Sequence, residues 1–288
     1  MRQIDLHTHT TASDGLHRPA DNVRMAMEAG LAGVAITDHD TVAGVEEAIR
    51  EGERLGIVVV PGVEISTSYD GTEIHVLGYC MNVEDPIFLA RLADQRKVRD
   101  SRNEGILARL AELGIQVSME ELREIAGRDD NPEETIGRPH IADALVRLGV
   151  VGSVQEAFDR YLAKGSAAYV DPPPRITPME AYRWIREAGG AAIVAHPGLY
   201  RREELAEILL DGAGLGGADG VEAYHSDHTA EQSDRYRQLA DARGKIVTGG
   251  SDFHGARKGG VYHGPIGNRT VDISVLEQLR AVARGEGR

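Results

Sequence analysis

The stretch IDLHTHTTASDG, which opens at Ile4, sets His7 and His9 one residue apart and follows them with Asp14. On a strand, side chains at alternate positions share a face, so both imidazoles can reach one ion while Thr8 points away. Donors of the same kind recur along the chain. Asp38, His39 and Asp40 follow the second apolar run, Glu64 ends the third, and His75 lies in the next. His196 ends AAIVAH, and Asp252 and His254 follow KIVTGG. A lone histidine is more often a hydrogen-bonded or surface residue. Imidazoles and carboxylates that fall together at strand ends are instead the donor set required by Zn²⁺, Mn²⁺ or Fe²⁺. They are too many for one tetrahedral ion, so two or three ions are expected.

The elements that must position these donors follow from periodicity. Short apolar runs alternate with amphipathic stretches: RQIDLHT precedes a helix near 19–29, and AGVAIT precedes one near 42–55. GIVVVPGVEI leads through the turn DGT into EIHVLGY, and helices near 178–188, 203–210 and 231–242 precede AAIVAH, DGVEAY and KIVTGGSD. This rhythm predicts a parallel β/α barrel, whose reactive residues collect at the C-terminal ends of the strands. Residues 86–170 break the rhythm. They read as a charged helical insertion with a loop at RDDNPEE and a proline-marked exit at VDPPPRITP. The expected division is a barrel from 1–85 and 171–288, with 86–170 as a helical subdomain over its mouth.

Composition narrows the function classes. The 288 residues are enough for one large α/β domain with an insertion. Glycine is abundant at 34 and aromatics few at 5%, which suits many tight strand-to-helix turns. A net charge of −14 argues against a broad phosphate-binding surface, and hence against long duplex nucleic acid as a partner, while leaving room for a local basic patch. The single cysteine, Cys80, forms no internal disulfide, and no stretch is apolar for long enough to cross a bilayer. Asp5, His7 and His9 interrupt any signal-peptide pattern, so a cytoplasmic location is the expectation.

The motifs DLHTHTTASDG, ITDHDT, PGVEIS, IHVLGY, VAHPG and GGSDFHG, in this order, resemble those of the polymerase and histidinol phosphatase (PHP) family of metal-dependent phosphoesterases. The insertion, with GRPHIADAL and YLAKGSAAYV, is similar to the branch of nucleoside 3',5'-bisphosphate phosphatases and short-RNA 5'-to-3' exonucleases. The resemblance implies a distorted (β/α)₇ barrel and a site of three divalent ions, Mn²⁺ first, with Fe²⁺ or Zn²⁺ as alternatives. It places His7, His9, Glu64 and Asp252 on the first ion, Glu64, His75 and His196 on the second, and Asp14, His39 and His254 on the third. Asp14, His39, Glu64 and Asp252 are then central to catalysis. A hydroxide shared between ions is the implied nucleophile, because the cations lower the pKa of bound water.

The same resemblance makes Arg138 and His140 contacts for a substrate phosphate, with Lys164 and His225 as further candidates. A helix starting at Arg138–Pro139 would also aim free N–H groups at an anion. Asp40 either orients a ligand or caps the following helix. Arg96, Lys97, Arg99 and Arg102 read mainly as a solvated helix face. His17, His228 and His263 read as surface residues, and Ser251 as a turn residue. The expected reaction is removal of the 3' phosphate from a nucleoside 3',5'-bisphosphate. The alternative is 5'-to-3' trimming of short single-stranded RNA or DNA. Histidinol-phosphate hydrolysis and a non-catalytic metal- or nucleotide-binding module rank below these.

Overall fold

The computed structural model describes residues 2–126, 133–257, 260–261 and 263–285. Most of the expected RDDNPEE loop, 128–132, lies outside them. Seven strands carry the frame: β1 (Gln3–Asp5), β2 (Gly33–Ile36), β3 (Val58–Tyr69), β4 (Thr72–Tyr79), β5 (Ala191–Val194), β6 (Gly220–His225) and β7 (Ile246–Gly250). They follow one another in sequence order across one sheet, and a short strand at Val271–Asp272 pairs antiparallel with β1. The seam between β7 and β1 is bridged just beyond β1: Leu6 N–H donates to Gly249 O at 3.1 Å and Asp252 N–H to His7 O at 2.8 Å. Gly250 permits that approach, because a Cβ there would lie 2.3 Å from the His7 Cβ.

The sheet is not uniformly parallel. β3 and β4 form a hairpin around Asp70–Gly71, and β4 runs antiparallel to both β3 and β5. A hairpin needs only a tight turn, whereas a parallel neighbour needs a long crossover. The reversal explains why His75 sits early in β4 and yet joins donors from the late ends of the other strands. It lies opposite Ser66, two residues past Glu64 on β3.

Helix α1 (Pro19–Glu28) covers β2 and α2 (Val45–Leu55) packs beside it on β3, while α7 (Pro178–Glu187), α8 (Glu204–Asp211), α9 (Ala230–Asp241) and α10 (Val275–Ala283) cover the later strands. Thr177 and Thr229 cap α7 and α9 with reciprocal side-chain bonds from Glu180 and Gln232. Ile4, Leu6, Leu77, Tyr79, Ile193 and Ile246 are buried together with Leu276 and Leu279 of α10. Burial of such side chains contributes roughly 1.5–3 kcal/mol each, which gives the frame the rigidity that a polar centre needs.

Between β4 and α7 the chain forms α3 (Pro86–Glu112), α4 (Met119–Ile125), α5 (Arg138–Arg147), α6 (Val154–Ala157) and a π-helical turn at Phe158–Leu162. These helices have a core of their own, including Ile106, Leu110, Leu122, Ile141, Leu145 and Leu162. α3 ties this core to the barrel, since its Phe88 and Leu92 pack with Val63, Ile74 and Tyr182. Among the described residues no helix is long and apolar enough to cross a membrane.

Candidate metal centre and its cationic wall

Glu64 occupies the middle of the donor cluster. Its Oε1 lies 2.9 Å from both His75 Nδ1 and His196 Nε2. Its Oε2 lies 3.3 Å from His9 Nε2, 3.6 Å from His7 Nε2 and 2.9 Å from His39 Nδ1. One carboxylate therefore serves two groups of imidazoles, one with each oxygen. His7 and His9 bring their Nε2 atoms within 3.1 Å of each other, and Asp252 Oδ1 approaches them at 3.3 and 3.1 Å. Asp14 faces a third set, His254 Nε2 at 3.2 Å, His9 Nδ1 at 3.7 Å and His39 Nε2 at 3.8 Å. All nine donors predicted from sequence thus converge in one place.

Local structure explains how they are held. The turn after His9 is bound by Asp38, which accepts from Thr10 N–H at 2.7 Å and Thr10 Oγ1 at 2.7 Å, and from the Ser13 hydroxyl. Gly15 completes the turn, since a Cβ there would meet His9 O at 2.3 Å. Asp40 and Asp252 both sit at positive φ, 55° and 54°. Such backbone costs about 1–3 kcal/mol and persists where surroundings over-determine it, commonly at functional sites.

Several donors have a second bond that sets which ring nitrogen is free. His7 Nδ1 is 3.0 Å from Glu222 Oε1, so its Nε2 is left for the cluster. Glu222 also accepts from His196 N–H at 2.9 Å. His254 Nδ1 donates to Asp252 O at 2.8 Å, which again leaves Nε2. Such outer contacts fix the tautomer and raise ligand basicity. Sequence reasoning missed Glu222, although a carboxylate inside the apolar run DGVEAY was a usable signal. It is fully buried.

The electrostatics suit cation binding. Burial alone would push the Glu64 carboxyl up, but His75, His39 and His7 hold it well below the usual range. Burial likewise opposes charge on His9, yet hydrogen bonds to Asp252 and Glu64 and their charges carry it to about 10. For His196 burial prevails over Glu64 and lowers the ring to about 4, so it is neutral at pH 7. One buried ring nitrogen of the cluster, His196 Nδ1, has no hydrogen-bond partner among the described residues. Buried polar atoms are normally satisfied, and imidazole–carboxylate sets of this kind accept divalent cations. The donor set fits metal.

The cluster opens into a cavity of about 180 Å³, lined by donors on one side and by Arg99, Arg138, Pro139, Phe158 and Leu199 on the other. Arg138 starts α5, and its guanidinium lies over the Phe158 ring at 5.9 Å. His140 Nδ1 accepts from Gly137 N–H at 3.0 Å, so this ring caps the helix start. Lys164 is exposed, and neither it nor His225 lines the cavity. His225 is buried behind Asp252. Its Nδ1 accepts from Asp227 N–H at 3.1 Å, so the proton resides on Nε2, which donates to Asp252 Oδ2 at 3.2 Å.

Four surface expectations are overturned. Arg99 is largely buried and donates to Asp40 Oδ2 at 2.9 Å and Ser66 Oγ at 2.6 Å. Arg102 is buried, with Nε on Val170 O at 3.1 Å. His228 is buried between Ala223 O and Gly198 N–H. His263 lines the cavity beside Asp252 and Asp227. Each misreading has one cause: packing of the insertion and of the late loops covers faces that look solvated along the chain. Ser251 is also more than a turn residue, since its N–H donates to buried Asp5 at 2.9 Å. Asp40 is not a helix cap, because Gly44 caps α2; it accepts from Ser66 N–H and from Arg99.

With this geometry in view, the comparisons with known proteins are direct. The PHP domain pattern matches residues 5–128. The chain is 34% identical over 262 residues to a 3',5'-nucleoside bisphosphate phosphatase of Chromobacterium violaceum, covering 90% of each chain. This chain belongs to the PHP family. It is also 35% identical to the 5'-3' exoribonuclease Rnm of Escherichia coli over 87% of this chain and 84% of that one. A crystal structure from Bifidobacterium adolescentis, of a protein assigned to the metal-dependent phosphoesterases, superposes with a TM-score of 0.84 at 31% identity, covering 97% and 96% of the two chains. As a PHP protein the chain is a metal-dependent hydrolase of phosphoesters.

Proposed function

We propose that this PHP hydrolase removes the 3' phosphate of nucleoside 3',5'-bisphosphates, and that His7, His9, Asp14, His39, Glu64, His75, His196, Asp252 and His254 hold up to three divalent ions, Mn²⁺ foremost. The observation that carries the reading is one small cavity with imidazole and carboxylate donors on one wall and the guanidinium groups of Arg99 and Arg138 on the other. Bound divalent cations supply an acidified water for attack and neutralise charge on the phosphoryl oxygens. The protein's part is to place the two ends of the substrate. Glu64 keeps its two oxygens toward separate donor groups, and Asp252 is oriented by His225. Arg138, held over Phe158, receives the phosphate that does not react, with charge-assisted bonds that fix the reacting one. Proximity of the insertion to the donors also restricts bulk water.

The likeness to an exoribonuclease favours a second reading, 5'-to-3' trimming of short RNA or DNA through the same site. Phosphate release from adenosine 3',5'-bisphosphate is to be compared with mononucleotide release from a short 5'-phosphorylated RNA, using protein of measured metal content. Faster turnover of the bisphosphate supports the first reading, and faster trimming the second. Fully active protein that never carries more than one ion per chain contradicts the three-ion site.

A further inference from the structure

Glu73 is the one carboxylate on the substrate side of the cavity that no step above uses. It comes from β4, two residues before His75, and lines the cavity. Its oxygens lie 3.7 Å from Arg138 Nη2, 3.9 Å from Arg102 Nη1, 3.9 Å from Arg175 Nη2 and 3.9 Å from His75 Nε2. All four groups, three guanidinium groups and one imidazole, are near, yet none is at hydrogen-bond distance. The neighbouring pair is different in kind, since Arg99 grips Asp40 at 2.9 Å. The Arg175 side chain is almost fully buried, and its Nε and Nη1 have no hydrogen-bond partner among the described residues. Arg99 and Arg138 line the cavity, and Arg102 and Arg175 stand buried behind them. A cavity carboxylate that stops short of Arg138 and of these buried guanidinium groups marks a wall arranged for an oxyanion with more acceptors than Glu73 offers.

Charge supports the same conclusion. Among the described residues, the carboxylates within 4 Å of Arg99, Arg102, Arg138 and Arg175 are Asp40 and Glu73, an excess of two positive charges in this set. Asp14, whose charge also acts on Arg99, belongs to the donor side. A terminal phosphate monoester carries about −1.5 to −2 at pH 7 and matches that surplus. A carboxylate among these cations also repels the arriving phosphate, so it sets how tightly the wall can hold one.

We propose that Glu73 is a built-in counter-charge to the substrate's non-reacting phosphate: it neutralises part of the arginine wall and weakens its grip, so that the phosphate is held loosely enough for the product to leave. The inference rests on the reading of Arg138 as the contact for that phosphate. Glu73 is a specificity-setting residue, not a ligand.

The test uses metal-loaded protein and the variants Glu73→Gln and Glu73→Asp. In Glu73→Gln, the ratio of kcat/KM on adenosine 3',5'-bisphosphate to that on an aryl phosphate rises roughly tenfold, and adenosine 5'-monophosphate binds more tightly by a similar factor. Glu73→Asp keeps the charge and stays close to the parent in both readouts. Using the ratio removes any common effect transmitted through His75. A bisphosphate ratio that falls, or stays unchanged, in Glu73→Gln overturns the proposal and makes Glu73 a scaffold for the arginines. An aspartate variant that behaves like the glutamine one also overturns it. If the parent does not hydrolyse the bisphosphate, the substrate reading fails separately. Binding of adenosine 5'-monophosphate then decides alone: the proposal requires tighter binding in Glu73→Gln and loss of that gain when Arg138→Ala is added.

Discussion

The two walls of the cavity are built on opposite plans. On the barrel wall, donors leave rigid strand ends and several carry a second bond, as His7 does to Glu222 and His254 to the Asp252 carbonyl. On the opposite wall, the guanidinium group of Arg138 stands 3.7 Å from Glu73, and those of Arg102 and Arg175, buried behind it, stand 3.9 Å from Glu73 or Asp40. The difference teaches where precision is needed. Chemistry at phosphorus depends on fixed positions, whereas a wall that admits and releases a substrate must not satisfy its own charges completely.

The sharpest way to break this comparison is Glu64→Gln. Because each oxygen serves a different donor group, activity should fall by orders of magnitude while circular dichroism and the unfolding midpoint stay close to the parent. Near-parental turnover at saturating Mn²⁺ would remove Glu64 from the centre of the site.

A milder change probes the outer support of the same wall. Glu222→Gln leaves every proposed ligand in place but weakens the bond that orients His7, so metal affinity or activity should drop about 10- to 100-fold. Titration of Mn²⁺ against activity gives the readout. An unchanged half-saturation point together with unchanged turnover would show that His7 is oriented by packing alone.

The insertion wall should answer selectively. Arg138→Ala removes a charge-assisted contact worth roughly 1.5–3 kcal/mol, so kcat/KM on the bisphosphate should fall about ten- to hundredfold. An aryl phosphate, lacking the second phosphate, should lose far less. Equal losses would mean that Arg138 supports the fold or the donors, and the division between walls would be abandoned. Since binding energy at a remote group can orient the reacting one, part of the loss should appear in kcat.

The smallest effect concerns how Arg138 is aimed. Its guanidinium lies 5.9 Å over the Phe158 ring, and Phe158 opens a π-helical turn, a feature frequent at functional sites. Phe158→Leu removes a cation–π contact worth about 0.5–1 kcal/mol, which predicts a two- to fivefold rise in KM for the bisphosphate. A change confined to thermal stability, with KM untouched, would make Phe158 a packing residue only.

The choice of nine donors came from the resemblance of the motifs. Much of the barrel was legible along the chain, and so was the recurrence of imidazoles and carboxylates near strand ends, because strand period and strand-end position are local properties. His7 and His9 share a face for that reason alone, and the turn through Gly15 had to return Asp14 toward them. Helix starts at Pro19, Pro178 and Arg138 were equally readable, since Pro fits the first turn. The reversal of β4 was less so: a hairpin turn was visible at Asp70–Gly71, but the parallel rhythm of the other strands obscured its consequence. Glu222 was overlooked despite its apolar run, whereas His228, His263, Arg99 and Arg102 were not legible as site or buried groups. Their sequence neighbourhoods do not say which distant segment covers them. Arg99 reaches Asp40 across 59 positions, and Arg102 reaches Val170 across 68. The sequence by itself determined which residue types could bind metal and which strand ends would present them. Only the tertiary structure decided the cationic wall, because its charges acquire their partners solely when the insertion folds back over the barrel, and burial there makes each unmet hydrogen bond costly.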